Sequence, residues 1–145
     1  MMLRLRRAEE EDASRVFSWR NDETVRRVSI DPREIAREEH SDWFRRSIGR
    51  ADRSLLIAED GEIPVGVLRF DVVDEVAEIS IFLNPELVGR GYGTAMLREG
   101  AIWARQNLMG VKTLRAKIRP DNPASSHAFE KAGFVEVWHV YDLNL

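Results

Sequence analysis

The chain opens on an alternation. Leu3 and Leu5 are apolar, and Arg4 and Arg6 between and after them are charged, the period-2 pattern of a short strand. The period then changes. Asp12 stands where a helix cap belongs, and Ala13, Val16 and Phe17 share a helical face until Asn21-Asp22 interrupts it. Residues 28–32 read as a loop, and Pro32 suits the first position of a second helix. Along that helix Ala36, His40, Trp43, Phe44 and Ser47 share a face, while Arg37, Glu38, Asp42, Arg45 and Arg46 supply charge. The middle of the chain returns to strands. An apolar run at 54–58 is followed by Asp60-Gly61, a hairpin signal, then by a strand at 64–70. A turn near Asp74-Glu75 leads to a further strand, Val76 to Leu83, completing an antiparallel meander. After Asn84-Pro85 and a glycine-rich loop, residues 92–108 predict a long helix with Leu97, Ala101, Ala104 and Leu108 in phase, stopped by Gly110. Lys112 to Ile118 alternates as a strand, Pro123 to Ala132 predicts a short helix stopped by Gly133, and 134–143 is β-like. The order β-α-α-β-β-β-α-β-α-β predicts a single α/β domain over residues 1–145.

Composition narrows the class. A chain of 145 residues is about one domain. Its 43% apolar and 32% charged content excludes disorder. No apolar run approaches the ~18 residues of a membrane span, and the N-terminus, alternating and then acidic, does not read as a signal peptide. A cytoplasmic protein, monomer or homodimer, is expected. The absence of cysteine excludes disulfides, thiolate metal sites and cysteine nucleophiles. With 22 Lys and Arg against 25 Asp and Glu, the net charge of −3 lacks the basic excess of a nucleic-acid binder. His40, His127 and His139 show no metal-ligand spacing, so no metal is expected.

Two segments carry chemistry. The first is Val88-Gly89-Arg90-Gly91-Tyr92-Gly93-Thr94, between a strand and a long helix. Its glycines allow close backbone approach, and the helix start behind them favours an anion such as a phosphate or pyrophosphate. A tight turn with no ligand is the bland alternative. The loop is not a Walker A sequence, because no Lys-Ser/Thr follows the glycines, and its spacing differs from the dinucleotide fingerprint. The second segment is Asn122-Pro-Ala-Ser125-Ser-His-Ala-Phe129-Glu-Lys131-Ala-Gly133-Phe134.

Together, at this spacing, the two segments resemble the GNAT superfamily of acetyl-CoA-dependent N-acetyltransferases, and the resemblance covers nearly the whole chain. It implies an α/β fold: a mixed, mostly antiparallel sheet of about six or seven strands flanked by about four helices. A splayed cofactor cleft would lie between the strand 76–83 and the strand 112–118, with acetyl-CoA as the cofactor. Within the phosphate loop Gly91 and Gly93 match the family pattern, and Val88 replaces its Gln/Arg; Gly89, Arg90, Tyr92 and Thr94 complete the loop. By resemblance, Ile81, Phe82 and Leu83 offer main-chain hydrogen bonds to the pantetheine arm, and Asn122 and Ser125 contact the pantetheine or phosphate region. Lys131 is either near the nucleotide or a solvated lysine. Phe129 falls among the cofactor residues where many members have Tyr, whose hydroxyl protonates the departing thiolate. Phe129 cannot do so; it is expected to pack, and the general acid is unassigned.

An alkyl ammonium must lose a proton before it attacks, and a nearby carboxylate is the natural acceptor of that proton. Glu78 is the first candidate, with His40, Asp71 and Glu75 as alternatives; each has a bland reading as a solvent-facing or core residue. Without cysteine no covalent acetyl-cysteine forms, so direct attack in a ternary complex is expected. In the N-terminal third, Trp19-Arg20-Asn21-Asp22, Val25-Arg26, Ser29 and His40-x-x-Trp43-Phe44 resemble acetyltransferases of nucleotide-linked amino sugars of the pseudaminic-acid type. This places Arg20, Asn21, Ser29, His40 and Trp43 at a small-molecule amine acceptor, a sugar nucleotide. A ribosomal-protein N-terminus as acceptor, and a non-catalytic acyl-CoA binder, are the competing readings.

Overall fold

The computed structural model describes residues 2–145. Its centre is the expected meander. β2 (Arg53–Asp60), β3 (Ile63–Val73) and β4 (Val76–Leu83) pair antiparallel in succession, and β1 (Leu3–Arg7) pairs antiparallel with β2. β5 (Thr113–Arg115) pairs parallel with β4, giving a five-stranded mixed sheet in the order β1-β2-β3-β4-β5. Leu55, Leu56, Ile57 and Ala58 are all buried, the continuous apolar run of a strand covered on both faces.

Helices supply that cover. On one face, called the front here, α1 (Ala13–Asn21) and α3 (Arg37–Gly49) bring Val16, Trp19 and Phe44 against Leu55, Ile57 and Val67. On the back, α4 (Tyr92–Asn107) and α5 (Pro123–Lys131) bring Met96, Leu97, Ala104 and Phe129 against Leu56, Leu68, Phe70 and Ile79. A further helix, α2 (Glu23–Val28), follows α1 directly and is capped by Asp22, whose carboxylate accepts from the Thr24 N–H at 2.9 Å. The sequence did not announce it, because six residues are too few for a periodicity to show.

Other expectations are corrected. Asp12 does not cap α1 with its side chain; it receives two 2.8 Å hydrogen bonds from Arg6 and one of 2.9 Å from the Glu9 N–H, closing the 3-10 turn Glu10–Asp12. The second long helix starts at Arg37 rather than Pro32, since residues 32–36 are held as a loop by Asn21. The expected strand at 112–118 shortens to Thr113–Arg115. Residues 134–143 form no strand: they have no ladder partner among the described residues, and Trp138 is 74% exposed. Among the described residues the sheet therefore has five strands rather than six or seven, with five α-helices around it.

The shortness of β5 makes the cleft. Its ladder with β4 consists of Val76↔Thr113, Ala77↔Leu114 and Glu78↔Arg115, whereas β4 continues to Leu83 bonded to β3 alone. Beyond Glu78 the two strands part, and one backbone edge of residues 79–83 is left open. No helix among the described residues is long and apolar enough to cross a membrane.

Candidate active site

The glycine loop lies at the end of the open edge. Asn84 turns the chain out of β4 by accepting from the Glu86 N–H at 3.1 Å, starting the 3-10 turn Pro85–Leu87. Gly89 and Gly91 follow with φ of +82° and +83°. A Cβ on either would meet nothing within 4 Å, so glycine is needed here for the left-handed backbone rather than for space. Gly91 is the N-cap of α4 and offers no capping side chain. The N–H groups of the first turn therefore point outward, at the positive end of a 16-residue helix. An outward set of donors, an uncrowded loop and an open strand edge fit the diphosphate and amide-bearing arm of coenzyme A.

Side chains near this loop serve the fold. The Tyr92 hydroxyl donates to Asp60 Oδ2 at 2.7 Å, and this bond raises the phenol pKa. Tyr92 thus pins the start of α4 to the β2–β3 hairpin. Asn122 caps α5 by accepting from the Ser125 N–H at 3.2 Å. Phe129, counted with the cofactor residues, is 5% exposed and lies edge-on to Phe134 with ring centres 4.9 Å apart. It is a core side chain. Tyr141 is exposed in the C-terminal segment.

Glu78 stands at the fork. It is the last residue of β4 paired with β5, opposite Arg115. Strand alternation puts Ala77 and Ile79 into the back core and Glu78, Ser80 and Phe82 on the front. The Glu78 carboxylate is 42% exposed, with Lys117 Nζ 3.8 Å away. Directly across on β3 is Asp71, then Arg53 on β2. Asp71 is held between two guanidiniums: Arg53 Nε donates to Oδ1, and Arg69 Nε lies 3.0 Å from Oδ2. Both guanidiniums face the Trp43 ring, at 5.7 and 5.9 Å.

The remaining candidate bases are less well placed. Glu75 sits before β4 at the far end of the sheet, exposed and 3.1 Å from Lys112 Nζ. His40 is 3% exposed, enclosed by Phe17, Trp43 and Phe44. Burial, with Arg20 and Arg37 nearby, pushes its pKa down to about 4, so the imidazole is neutral at pH 7. Trp43, beside His40, presents its ring to the Arg53 and Arg69 guanidiniums that flank Asp71. Arg20 donates to the Asp31 carbonyl at 2.6 Å, Asn21 exchanges two hydrogen bonds with the Ile35 backbone, and Ser29 donates to the Val25 carbonyl at 2.6 Å. These three brace the loop between α2 and α3.

Reading the sequence missed Arg53, Arg69 and Ser80 on the front face, and Arg119. The signal was available for Arg69: a lone charge inside an apolar strand run, VGVLRF. Arg119 gave none. Its guanidinium makes paired bonds to Asp121 at 2.9 and 2.7 Å and donates to the Ser29 carbonyl at 3.1 Å. It ties the chain beyond β5 to the end of α2. Among the described residues, no group of three or more His, Cys, Asp or Glu is placed to hold a metal ion.

Known proteins are similar to this chain in sequence and in fold. The Bacillus subtilis (strain 168) protein named "Putative phosphinothricin acetyltransferase YwnH" is 32% identical over 145 residues, covering 94% of this chain and 86% of its own. The fold is that of a Vibrio cholerae spermidine N-acetyltransferase solved with CoA and spermine (TM-score 0.85, 20% identity, 95% of this chain and 83% of that one). It is also that of the aminoglycoside acetyltransferase AAC(6')-Ib solved with coenzyme A and kanamycin (TM-score 0.80, 19% identity, 92% and 84%). The family model described as acetyltransferase (GNAT) domain matches residues 2–135. Over nearly its whole length, then, the chain belongs to the GNAT family of acetyl-CoA-dependent N-acetyltransferases.

Proposed function

We propose that the protein acetylates a small-molecule primary amine with Glu78 as the general base. Acetyl-CoA supplies an acetyl thioester when bound. The loop Val88–Gly93 and the first turn of α4 would hold its diphosphate, and the open edge of Ile81, Phe82 and Leu83 would hydrogen-bond its pantetheine arm. Arg90 and Thr94 border the same helix start, with Asn122 and Ser125 at the start of α5. Glu78 accepts the proton of the acceptor ammonium, directly or through one water, and the neutral nitrogen is then competent to attack. With no cysteine in the chain, attack in a ternary complex is the route proposed. His40, buried and neutral, supports the wall behind Trp43 and takes no proton in this proposal.

The observation that carries the assignment is the position of Glu78. It is the carboxylate at the point where β4 and β5 separate, on the face away from the α4 core. Replacing Glu78 by Gln keeps the shape and removes the base, so kcat should fall by roughly 10²–10⁴ while the affinity for acetyl-CoA stays unchanged. A variant with wild-type kcat would overturn the assignment.

The relatives are named for different amines, so the acceptor must be argued from this chain. A nucleotide-linked amino sugar needs free guanidiniums for its diphosphate. In the N-terminal third Arg20 and Arg26 each donate to one backbone carbonyl, Arg20 to Asp31 and Arg26 to Asn21 at 3.1 Å, and Arg20 Nη1 is enclosed without a partner among the described residues. We favour a smaller amine, held against the front face beside Trp43, where Arg53, Asp71 and Arg69 lie on the same side of the sheet as Glu78.

A further inference from the structure

Three arginines are sunk into the front side of the sheet, and they differ in how they are paired. Arg6 makes paired hydrogen bonds to Asp12, both 2.8 Å, and its Nε lies 3.2 Å from Glu59. Arg53 bonds Asp71 through Nε and Ser47 Oγ through Nη1 at 3.0 Å. Arg69 has neither arrangement. Its one hydrogen bond among the described residues is a long 3.4 Å contact from Nη2 to Ser80 Oγ. Its Nε is enclosed and close to Asp71 Oδ2, but makes no hydrogen bond because it is badly aligned with that oxygen.

The charges tell the same story. Two guanidiniums share one carboxylate, and Arg53 has taken the better-aligned oxygen. Arg69 is desolvated enough that its pKa is lowered. A half-buried guanidinium with five donors and so little bonding is costly, unless the functional state brings an acceptor. The surroundings suit one: the flat Trp43 ring lies beside it, and roughly a third of the side chain remains open. Arg69 pairs across the strands with Ser80, two residues along β4 from Glu78 on the same face, a separation of about 7 Å.

We infer that Arg69 recognises an anionic group on the acceptor, so that the amine acetylated belongs to a small amino acid carrying its carboxylate a few bonds away. The planar fork of a guanidinium matches a carboxylate with two parallel hydrogen bonds. With the carboxylate on Arg69, the amine falls in the row of Glu78. A peptide N-terminus has an amide where this carboxylate would be, and a simple alkyl amine has nothing there; both leave Arg69 with only its shared ion pair to Asp71 and its long bond to Ser80. The inference rests on the acceptor site proposed above.

The test compares the common L-amino acids with their α-carboxamides as acceptors, following thiol release from acetyl-CoA, in wild type, Arg69→Gln and Arg69→Lys. Wild type should favour acids over amides by at least about tenfold in kcat/KM. Arg69→Gln should erase that preference by raising KM for the acids alone, and Arg69→Lys should restore part of it. Amides used as well as acids by wild type, or a preference surviving in Arg69→Gln, overturns the inference. Calorimetric titration of L-glutamate and L-leucine into the protein saturated with coenzyme A separates this from the catalytic assignment. Binding lost in Arg69→Gln, with coenzyme A affinity kept, supports Arg69 even where turnover is absent. Failure of both amino acids to bind wild type overturns it.

Discussion

At the scale of single residues, His40 ties the pH response to the front core. In the unfolded chain a histidine takes up its proton near pH 6.5, whereas buried between Phe17, Trp43 and Phe44 it does so only at about 4. The folded state thus binds fewer protons than the unfolded state between these values, and stability falls as pH drops through that window. Above pH 6.5 both states are neutral at this site and its contribution is complete. His40→Phe keeps an aromatic ring in the cluster and removes the titration. Urea midpoints measured from pH 7.5 to 4.5 should decline more gently in the variant, and parallel curves would contradict the expectation. Other polar residues show why a role is hard to read from sequence. Asn21, Ser29 and Tyr92 were expected at a ligand, and each is used to hold the chain: Asn21 on Ile35, Ser29 on Val25 and Tyr92 on Asp60. Two of these partners, Ile35 and Asp60, are 14 and 32 residues away in the chain, and such pairings are fixed by tertiary geometry. The face that Glu78 occupies was legible because strand alternation alone assigns it.

At the scale of elements, two glycines govern how α4 lies on the sheet, and they should respond differently to alanine. A Cβ on Gly100, within α4, would come 2.7 Å from Leu68 Cδ2, the end of a flexible side chain. Alanine in a helix interior gains about 0.8–1 kcal/mol over glycine, which offsets much of the repacking. A Cβ on Gly66, within β3, would come 2.7 Å from the Phe82 carbonyl oxygen and from Met96 Cε. Backbone cannot step aside, and that backbone is the end of β4 from which the cleft is built. Gly66→Ala should cost about 1–3 kcal/mol and Gly100→Ala close to nothing, read as urea midpoints at constant slope. Equal costs would show that the sheet edge yields as easily as Leu68. The elements legible in the sequence were those with strong local signals: the meander with its Asp60-Gly61 turn, and α4 with Leu97, Ala101 and Ala104 in phase. The loop at 32–36 was misread because Asn21 overrides the helix-starting preference of Pro32. The strand expected at 134–143 failed because alternation describes a face, and a strand also requires a partner along its edge.

For the whole molecule, coenzyme A held as proposed at the fork and the glycine loop would be a structural as well as a chemical component. The loop joins β4 of the sheet to α4 of the back layer, and the first turn of α4 touches α5, where a Cβ on Gly93 would lie 3.6 Å from Ala128. Tyr92 ties the same turn to the β2–β3 hairpin. A ligand gripping this loop therefore restrains three separate parts of the fold. Ligand at about 100 times its Kd adds roughly 2.7 kcal/mol to stability. In a domain of this size each kcal/mol raises Tm by about 2–4 °C, so saturating coenzyme A should raise Tm by roughly 5–10 °C. Gly91→Trp places a bulky side chain on a φ of +83° at the cap of α4, where it both strains the backbone and blocks the approach of a diphosphate. That variant should melt at a temperature independent of coenzyme A, while Glu78→Gln should keep the full rise, because the fork carboxylate is proposed to act on the amine and not on the cofactor. A Gly91→Trp protein stabilised as much as wild type would move the phosphate site away from this loop.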